Sequence, residues 1–409
     1  MLKGKTVAPL TLGCKVNQYE TDGMIELLKE AGMTAVSFEE KADVYLINTC
    51  SVTNMADKKS RQMIHRAKKL NPDAVVIAAG CYVQAAKDKL MEDDRISIII
   101  GNNKKKDIVQ ILEDYLEIGV TDEGMLDIAA EKEYEPLTIN STLEHTRAYV
   151  KIQDGCNQFC SYCIIPYVRG RIRSRELASI TEEVERLAQT GVKEIVLTGI
   201  HISSYGKDKE NEVGLADVID AISKIESIER IRLGSLEPGI ITDTFIDRIV
   251  DNKKVCPHFH LSLQSGCNTV LKRMNRKYTC KEYFEKCEML RKAFDRPALT
   301  TDVIVGFPGE TDEEFQETVD YLTKLNLYEM HIFKFSPRQG TVAAGMRDQI
   351  GPEIKNQRSD VLLALSEKNK HAYEASFRGE TLEVLIEEKV RRNGKDGYRG
   401  HTERYIDIF

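Results

Sequence analysis

Apolar positions in the first part of the chain alternate between two spacings. Short apolar runs at 6–12, 43–48, 74–79 and 96–100 read as strands. Between and after them, 20–31, 55–70, 85–91 and 105–116 carry the spacing of helices. This βαβα rhythm predicts an open parallel sheet with helices on both faces. The rhythm breaks at 121–145, an acidic and weakly periodic stretch that reads as a linker or an edge hairpin. It resumes with strands near 148–153, 194–198, 230–235, 258–263, 300–305 and 329–333, and helices between them at, for example, 181–190, 243–250, 281–293 and 312–325. Six βα units in succession predict a partial (β/α)6 barrel, with a closing helix from 352 to about 377. The last stretch is again β: a strand at 381–388, the turn dipeptides Asn393-Gly394 and Asp396-Gly397, and an extended 398–408. One hairpin does not make an independent domain, so this β segment is expected to be incomplete. The expected class is therefore α/β: an α/β domain over 1–120, a linker over 121–145, a partial barrel over 146–375 and a partial β domain over 376–409.

Composition narrows the function classes. A net charge of −7 excludes a chain that binds polyanions with its whole surface, so any nucleic-acid partner must meet local basic patches. No apolar run reaches bilayer length, and no long apolar segment follows Met1-Leu2-Lys3-Gly4-Lys5. A cytoplasmic protein is expected. In such a setting the ten cysteines read as metal ligands, catalytic thiols or buried small hydrophobes rather than disulfides.

Two groups of cysteines stand out. Cys156-x3-Cys160-x2-Cys163 follows the first strand of the second part. Three thiolates on one loop can hold three irons of a [4Fe–4S] cluster and leave the fourth open to a small ligand. A structural zinc site wants a fourth protein ligand, and none follows at close spacing. Cys14, Cys50 and Cys81 have no local pattern, but each lies just past a predicted strand, before a helix. In an open parallel sheet those loops share one edge, where three thiolates can converge on a second cluster. Coincidental placement is the alternative. Cys256, Cys267, Cys280 and Cys287 read as buried thiols.

The motifs Thr11-Leu-Gly-Cys14-Lys-Val-Asn17, Asn48-Thr-Cys50, Gly80-Cys81, Asp154-Gly-Cys156-Asn-Gln-Phe-Cys160-Ser-Tyr-Cys163, Leu263-Gln-Ser-Gly266 and Gly306-Phe-Pro-Gly309-Glu310-Thr311 together resemble the methylthiotransferase branch of the radical S-adenosylmethionine (SAM) superfamily. The resemblance covers almost the whole chain. Cys14-Lys15-Val16-Asn17 followed by Tyr19-Glu20-Thr21 is similar to the MtaB type, which methylthiolates C2 of N6-threonylcarbamoyladenosine in tRNA. Relatives acting on isopentenyladenosine or on a ribosomal-protein aspartate remain alternatives. The resemblance implies two [4Fe–4S] clusters, one at Cys156, Cys160 and Cys163 that binds and cleaves SAM, and one at Cys14, Cys50 and Cys81 that presents sulfur. It also implies tRNA as substrate, an electron donor such as a flavodoxin or ferredoxin, a sulfur source, a monomer and no membrane. The 376–409 segment, with Gly397-Tyr398 and His401-Thr-Glu-Arg-Tyr405, resembles the first half of the RNA-binding TRAM module.

Other positions are expected by placement alone. Gly199, Glu237, Gln264 and Ser265 fall at or just beyond barrel strand ends, where they could touch SAM or merely cap helices. Gly306–Gly309 reads as a turn that passes the adenine or as a structural turn, and His201 as a structural histidine or one that faces substrate. Arg169, Arg171, Arg173 and Arg175 alternate along an extended segment and would offer a row of phosphate contacts, with salt bridges to Glu176, Glu182 and Glu183 as the alternative. Lys104–Lys106 reads as a solvated helix start. A non-enzymatic reading, a zinc-stabilised RNA-binding scaffold, also stays open.

Overall fold

The computed structural model describes residues 1–119, 125–140, 146–210, 212–392 and 394–409. Asn393 of the expected turn and parts of the 121–145 stretch lie outside them.

The first sheet has five parallel strands in the order Thr34–Ala35, Thr6–Thr11, Val44–Thr49, Val75–Gly80, Ile98–Ile100. Alternate residues of its strands feed two separate cores. Val7, Val44, Leu46, Ile77 and Ala79 pack with helices Lys15–Glu30 and Ile108–Ile118. Ala8, Tyr45, Ile47, Val76 and Ala78 pack with helix Asn54–Leu70 on the other face. The strand Val44–Thr49 is buried at every residue, as a central strand of a covered parallel sheet must be.

The second part is a curled sheet of six parallel strands. Arg147–Asp154, Glu194–Gly199 and Arg230–Leu233 pair in sequence, as do His258–His260, Ala298–Val305 and Glu329–Lys334. Single bridges at Ile231–Val255 and Leu236–Leu261 join the halves. Ala148, Val150 and Ile152 point outward into the helix-covered core. By the strand period, Arg147, Tyr149, Lys151 and Gln153 point into the barrel. The barrel interior is therefore polar. Helix Lys15–Glu30 of the first part packs along its first two strands.

Residues 125–140 form an irregular strap, without the strand pairing of a hairpin. Leu137 and Ile139 pack on Tyr19, and the Tyr134 hydroxyl donates to the Lys151 carbonyl (2.9 Å). A three-stranded antiparallel sheet, Val384–Arg392, Lys395–Thr402 and Asp407–Ile408, ends the chain. It rests on the N-terminal ends of the barrel strands: Arg230 donates to the Glu383 and His401 carbonyls, and Arg232 to those of Thr402 and Glu403.

Candidate active site

Three strands of the first sheet end at Thr11, Thr49 and Gly80, and Cys14, Cys50 and Cys81 follow within three residues of those ends. Hydrogen bonds tie the three loops together. Asn17 Nδ2 donates to the carbonyls of Leu12 (2.7 Å) and Thr49 (3.0 Å), and the Thr49 hydroxyl donates to the Ala79 carbonyl. A Cβ on Gly13 would lie 2.8 Å from Cys50 Cβ and 2.9 Å from its Sγ, and Gly13 has φ +107°. Only glycine lets the Cys14 and Cys50 loops approach so closely. Cys50 and Cys81 are buried; Cys14 is exposed to solvent although protein surrounds it on most sides, as expected of a residue lining a recess. Burial raises the Cys14 thiol and pushes that of Cys50 up to about 11, while nearby Arg169 pulls both down. Such thiols stay protonated until a metal displaces the proton, which suits ligands better than nucleophiles.

The other cysteine loop leaves the strand Arg147–Asp154. Gly155 has φ +71°, and a Cβ there would sit 1.7 Å from the Arg171 carbonyl oxygen. Glycine is thus required immediately before Cys156. Cys156, Cys160 and Cys163 are all part-exposed, and burial pushes Cys156 up to about 11 and Cys163 up to about 12. Arg276 donates to Cys160 Sγ (3.1 Å) and to Glu237 (2.8 Å), and its guanidinium lies 4.9 Å from the Tyr278 ring. The donor set, three thiols on one short loop with a buried arginine against one of them, fits an iron–sulfur cluster with one open iron.

The two cysteine sets adjoin. Cys81 packs with Ile164 and Val168, in the turn of chain directly after Cys163. Arg169 then donates to Cys81 Sγ (3.3 Å) and to Asn17 (2.7 Å). It also pairs with Glu20, which Lys105 (2.8 Å) and Lys151 (2.7 Å) approach as well. Asp154 completes the group, 2.6 Å from Lys151 and 3.2 Å from Arg169. All these side chains are buried. Burial pushes the Glu20 carboxyl up, but Arg169, Lys105 and Lys151 outweigh it and hold the group well below the usual range. Asp154 is likewise held low by Lys151, Arg169 and Arg173 against its burial. Four buried cations, Lys105, Lys151, Arg169 and Arg173, thus face Glu20, Asp154 and the nearby Glu135, whose carboxyl burial pushes up. A buried cation surplus is costly unless anions offset it. Arg169 carries that surplus to Cys81, where metal-bound thiolates would offset it.

The arginine row is corrected by this packing. Arg169, Arg173 and Arg175 are buried, and only Arg171 is exposed. Arg175 pairs with Glu183, and Tyr19 bonds the same carboxylate. Three of the four guanidiniums therefore belong to the interior rather than to a phosphate-facing strip. Arg171 lies over the Phe159 ring at 4.6 Å. Lys105 is also buried, on Glu20, so 104–106 is not simply a solvated helix start.

The strand-end positions divide. Glu237 accepts from Arg276, lies 3.5 Å from His201 Nε2, and borders a cavity of about 650 Å3 with Gln158, His201 and Tyr278. His201 Nδ1 meets the Ser204 hydroxyl (2.7 Å). Gln264 has φ +76°, unusual for a residue other than glycine and often found at functional sites. Gly199 packs tightly, its missing Cβ 2.9 Å from the Gln153 carbonyl oxygen. Ser265 is buried, accepts from the Cys267 N–H (3.2 Å) and meets Thr318. In the 306–309 turn, Gly306 N–H donates to Glu310 (2.7 Å) and Phe307 is buried in a small core with Phe335. Cys256, Cys267, Cys280 and Cys287 are all buried. Missed in the sequence were Arg276, and the Glu20–Lys151–Asp154 group. An acidic residue inside an otherwise buried helix face was the available signal for the latter.

Residues 150–322 match the radical SAM superfamily, and residues 6–101 match the Uncharacterized protein family UPF0004. The chain is 42% identical over 406 residues to the threonylcarbamoyladenosine tRNA methylthiotransferase MtaB of Bacillus subtilis (strain 168), covering 98% of this chain and 90% of the relative. It is 40% identical over 402 residues to the MtaB of Aquifex aeolicus (strain VF5), covering 98% and 96%. A tRNA-2-methylthio-N(6)-dimethylallyladenosine synthase of Thermoanaerobacter pseudethanolicus (strain ATCC 33223 / 39E) is 38% identical over 94% of this chain and 82% of its own. Among solved structures, the radical SAM methyltransferase TsrM from Kitasatospora setae shares the fold, with a TM-score of 0.61, 16% identity, and coverage of 83% of this chain and 77% of that one. With this identity sustained over nearly its whole length, the chain belongs to the methylthiotransferase family of the radical SAM superfamily.

Proposed function

We propose that this chain adds a methylthio group to C2 of N6-threonylcarbamoyladenosine next to the tRNA anticodon. The observation that carries this reading is the adjacency of two three-cysteine sets, in which Cys81 packs on the turn after Cys163 and receives a hydrogen bond from Arg169. The relatives named MtaB, at 40% and 42% identity, supply the substrate.

In this reading Cys156, Cys160 and Cys163 hold one [4Fe–4S] cluster and Cys14, Cys50 and Cys81 a second. Loaded with SAM, these groups supply a carbon-centred radical and deliver sulfur to an inert carbon, chemistry beyond any side chain. The protein's own residues bind and orient. Arg276 donates to Cys160 Sγ and so sets a positive charge beside that ligand, and Glu237 fixes Arg276. Glu237 and Gln264, at barrel strand ends, and the close-packed Gly199 border the space for SAM; Ser265 supports the Gln264 turn from behind. Arg169 donates to Cys81 Sγ and, through Asn17, sets the Cys14 loop.

Arg171, exposed beside Phe159, meets phosphate at the site mouth, and the sheet over 384–408 acts as the TRAM-like RNA contact. The working units are 1–120, 146–375 and 376–409, with 121–145 joining the first two. A flavodoxin- or ferredoxin-like protein supplies electrons, and a separate sulfur source replenishes the second cluster. Among the described residues no helix is long and apolar enough to cross a membrane, and the proposed setting is the cytoplasm, as a monomer. Anaerobic turnover on tRNA bearing threonylcarbamoyladenosine, followed by nucleoside mass spectrometry, tests the reading. Gain of a methylthio group on that nucleoside is expected; its absence, or gain only on isopentenyladenosine, would overturn it.

A further inference from the structure

Among the described residues, the barrel wall faces a cation that has no ion-pair partner. Lys15 follows Cys14 directly and is the first residue of helix Lys15–Glu30. That helix packs on the first two barrel strands, and Lys15 Nζ lies over the ring of Tyr149, 5.8 Å from its centre. Around it stand inward-facing residues of five barrel strands: Arg147, Glu194, Arg232, His258 and His331. The charged members of this wall are already committed. Arg232 makes two bonds to Glu194, at 2.8 and 3.0 Å. Arg147 pairs with Glu387 of the C-terminal sheet (3.2 Å). His331 and His260 both face Asp302, at 3.2 and 3.4 Å. Tyr405 closes the floor, stacked on His258 at 5.2 Å and beneath the Arg232 guanidinium at 4.8 Å. Lys15 makes no ion pair and no hydrogen bond with any described residue, and, like the adjoining Cys14, it remains exposed to solvent.

We infer that the space around Lys15 is a carboxylate subsite and that Lys15 binds the free carboxylate of the substrate's threonyl group. The inference rests on the proposed threonylcarbamoyladenosine substrate. In adenine, C2 and C6 flank the same ring nitrogen. A substituent on the C6 amine therefore projects past the carbon that receives sulfur. A side chain adjacent in sequence to a ligand of the second cluster is placed to meet that substituent while C2 faces the cluster. The threonylcarbamoyl arm ends in a carboxylate and a hydroxyl. A dimethylallyl arm has neither and would leave the ammonium without an anion. Lys15 is thus a specificity-determining residue: it selects an N6 arm that carries negative charge, and takes no part in making or breaking bonds.

The test compares two RNAs, one with the natural threonyl carboxylate and one with it converted to the primary amide, on wild-type holoenzyme and on Lys15→Gln and Lys15→Arg. Wild-type kcat/KM is expected to fall about tenfold to a hundredfold on amidation, the range of one charge-assisted hydrogen bond. Lys15→Gln should show the same loss on the natural RNA, mostly in KM, and no further loss on the amide. Lys15→Arg should recover much of the discrimination. A wild-type enzyme indifferent to amidation overturns the inference, and this arm needs no variant to fold. So does a Lys15→Gln enzyme that still discriminates as wild type does. A wild-type enzyme that methylthiolates neither RNA defeats the functional reading itself, and is told apart by that result.

Discussion

The buried charge group between Glu20 and Arg169 makes a quantitative prediction. Glu20→Gln removes the carboxylate that Arg169, Lys105 and Lys151 share, leaving Asp154 paired with Lys151 and Arg169. Breaking a buried ion pair from one side costs roughly 3–5 kcal/mol, because the orphaned charge stays desolvated. If the 409 residues unfold cooperatively, at roughly 2.1 cal/mol/K per residue, the unfolding entropy is about 0.9 kcal/mol/K. The thermal midpoint should then drop by about 3–6 °C. The acid limb supplies a second readout. Glu20's folded pKa lies below its unfolded one, so its stabilisation is complete above about pH 4.3 and fades as pH falls below that value. Glu20→Gln should flatten this limb relative to wild type. Arg169→Met should destabilise comparably, whereas the double variant should cost less than the two single losses added. Calorimetry of anaerobic apoprotein from pH 3.5 to 7.5 reads all of this. Additive losses, or a Glu20→Gln midpoint within 1 °C of wild type (about 1 kcal/mol on the same scale), would refute a shared, ionised buried network.

Further outcomes follow from the cysteine sets and the loop before Cys156. Cys14→Ala should lower bound iron to on the order of half, the loss expected of one ligand-deficient cluster, with SAM cleavage retained and methylthiolation lost; loss of both activities would show that the sets are not separable. Glu237→Gln should weaken SAM binding about tenfold through the loosened Arg276, the size of one charged hydrogen bond; an unchanged Kd would remove Glu237 from that role. Gly155→Ala forces a side chain into the Arg171 carbonyl, 1.7 Å away, and should abolish iron at Cys156, Cys160 and Cys163 while leaving iron at the other set; full iron content would refute the steric argument.

The fold was legible wherever burial followed a single period. The six barrel strands were found because their outward residues, such as Ala148, Val150 and Ile152, are apolar on alternate positions. The two-residue strand Thr34–Ala35 was too short to carry a period. Helix Lys15–Glu30 was expected to begin near 20, and the reason is chemical. Its first turns bury Asn17 and Glu20 alongside Val16 and Tyr19, so the hydrophobic periodicity is broken where the helix serves the site. That the loops carrying Cys14, Cys50 and Cys81 share one edge was legible from topology, since parallel strands must deliver their following loops to one edge.

The arginine row shows where such reading runs out. Alternation along 169–175 fixes which side chains share a face, but whether that face meets water depends on what lies opposite. Here the opposing element is a helix 149 residues away in sequence, whose Glu20 meets Arg169. Its Tyr19 and the nearby Glu183 meet Arg175. A guanidinium is seldom fully buried without a partner, so from the row alone phosphate was the simpler match. Polar residues on the inner face of Lys15–Glu30 were the available counter-signal: Asn17 and Glu20 lie where that helix should be apolar, and buried polar groups require partners. The same reasoning separates Lys15 from its neighbours. Asn17 and Glu20 found their partners in Arg169, Lys105 and Lys151, whereas Lys15 faces a wall whose carboxylates are already paired. A cation left over in an otherwise satisfied polar interior is explained by an anion that arrives with the substrate.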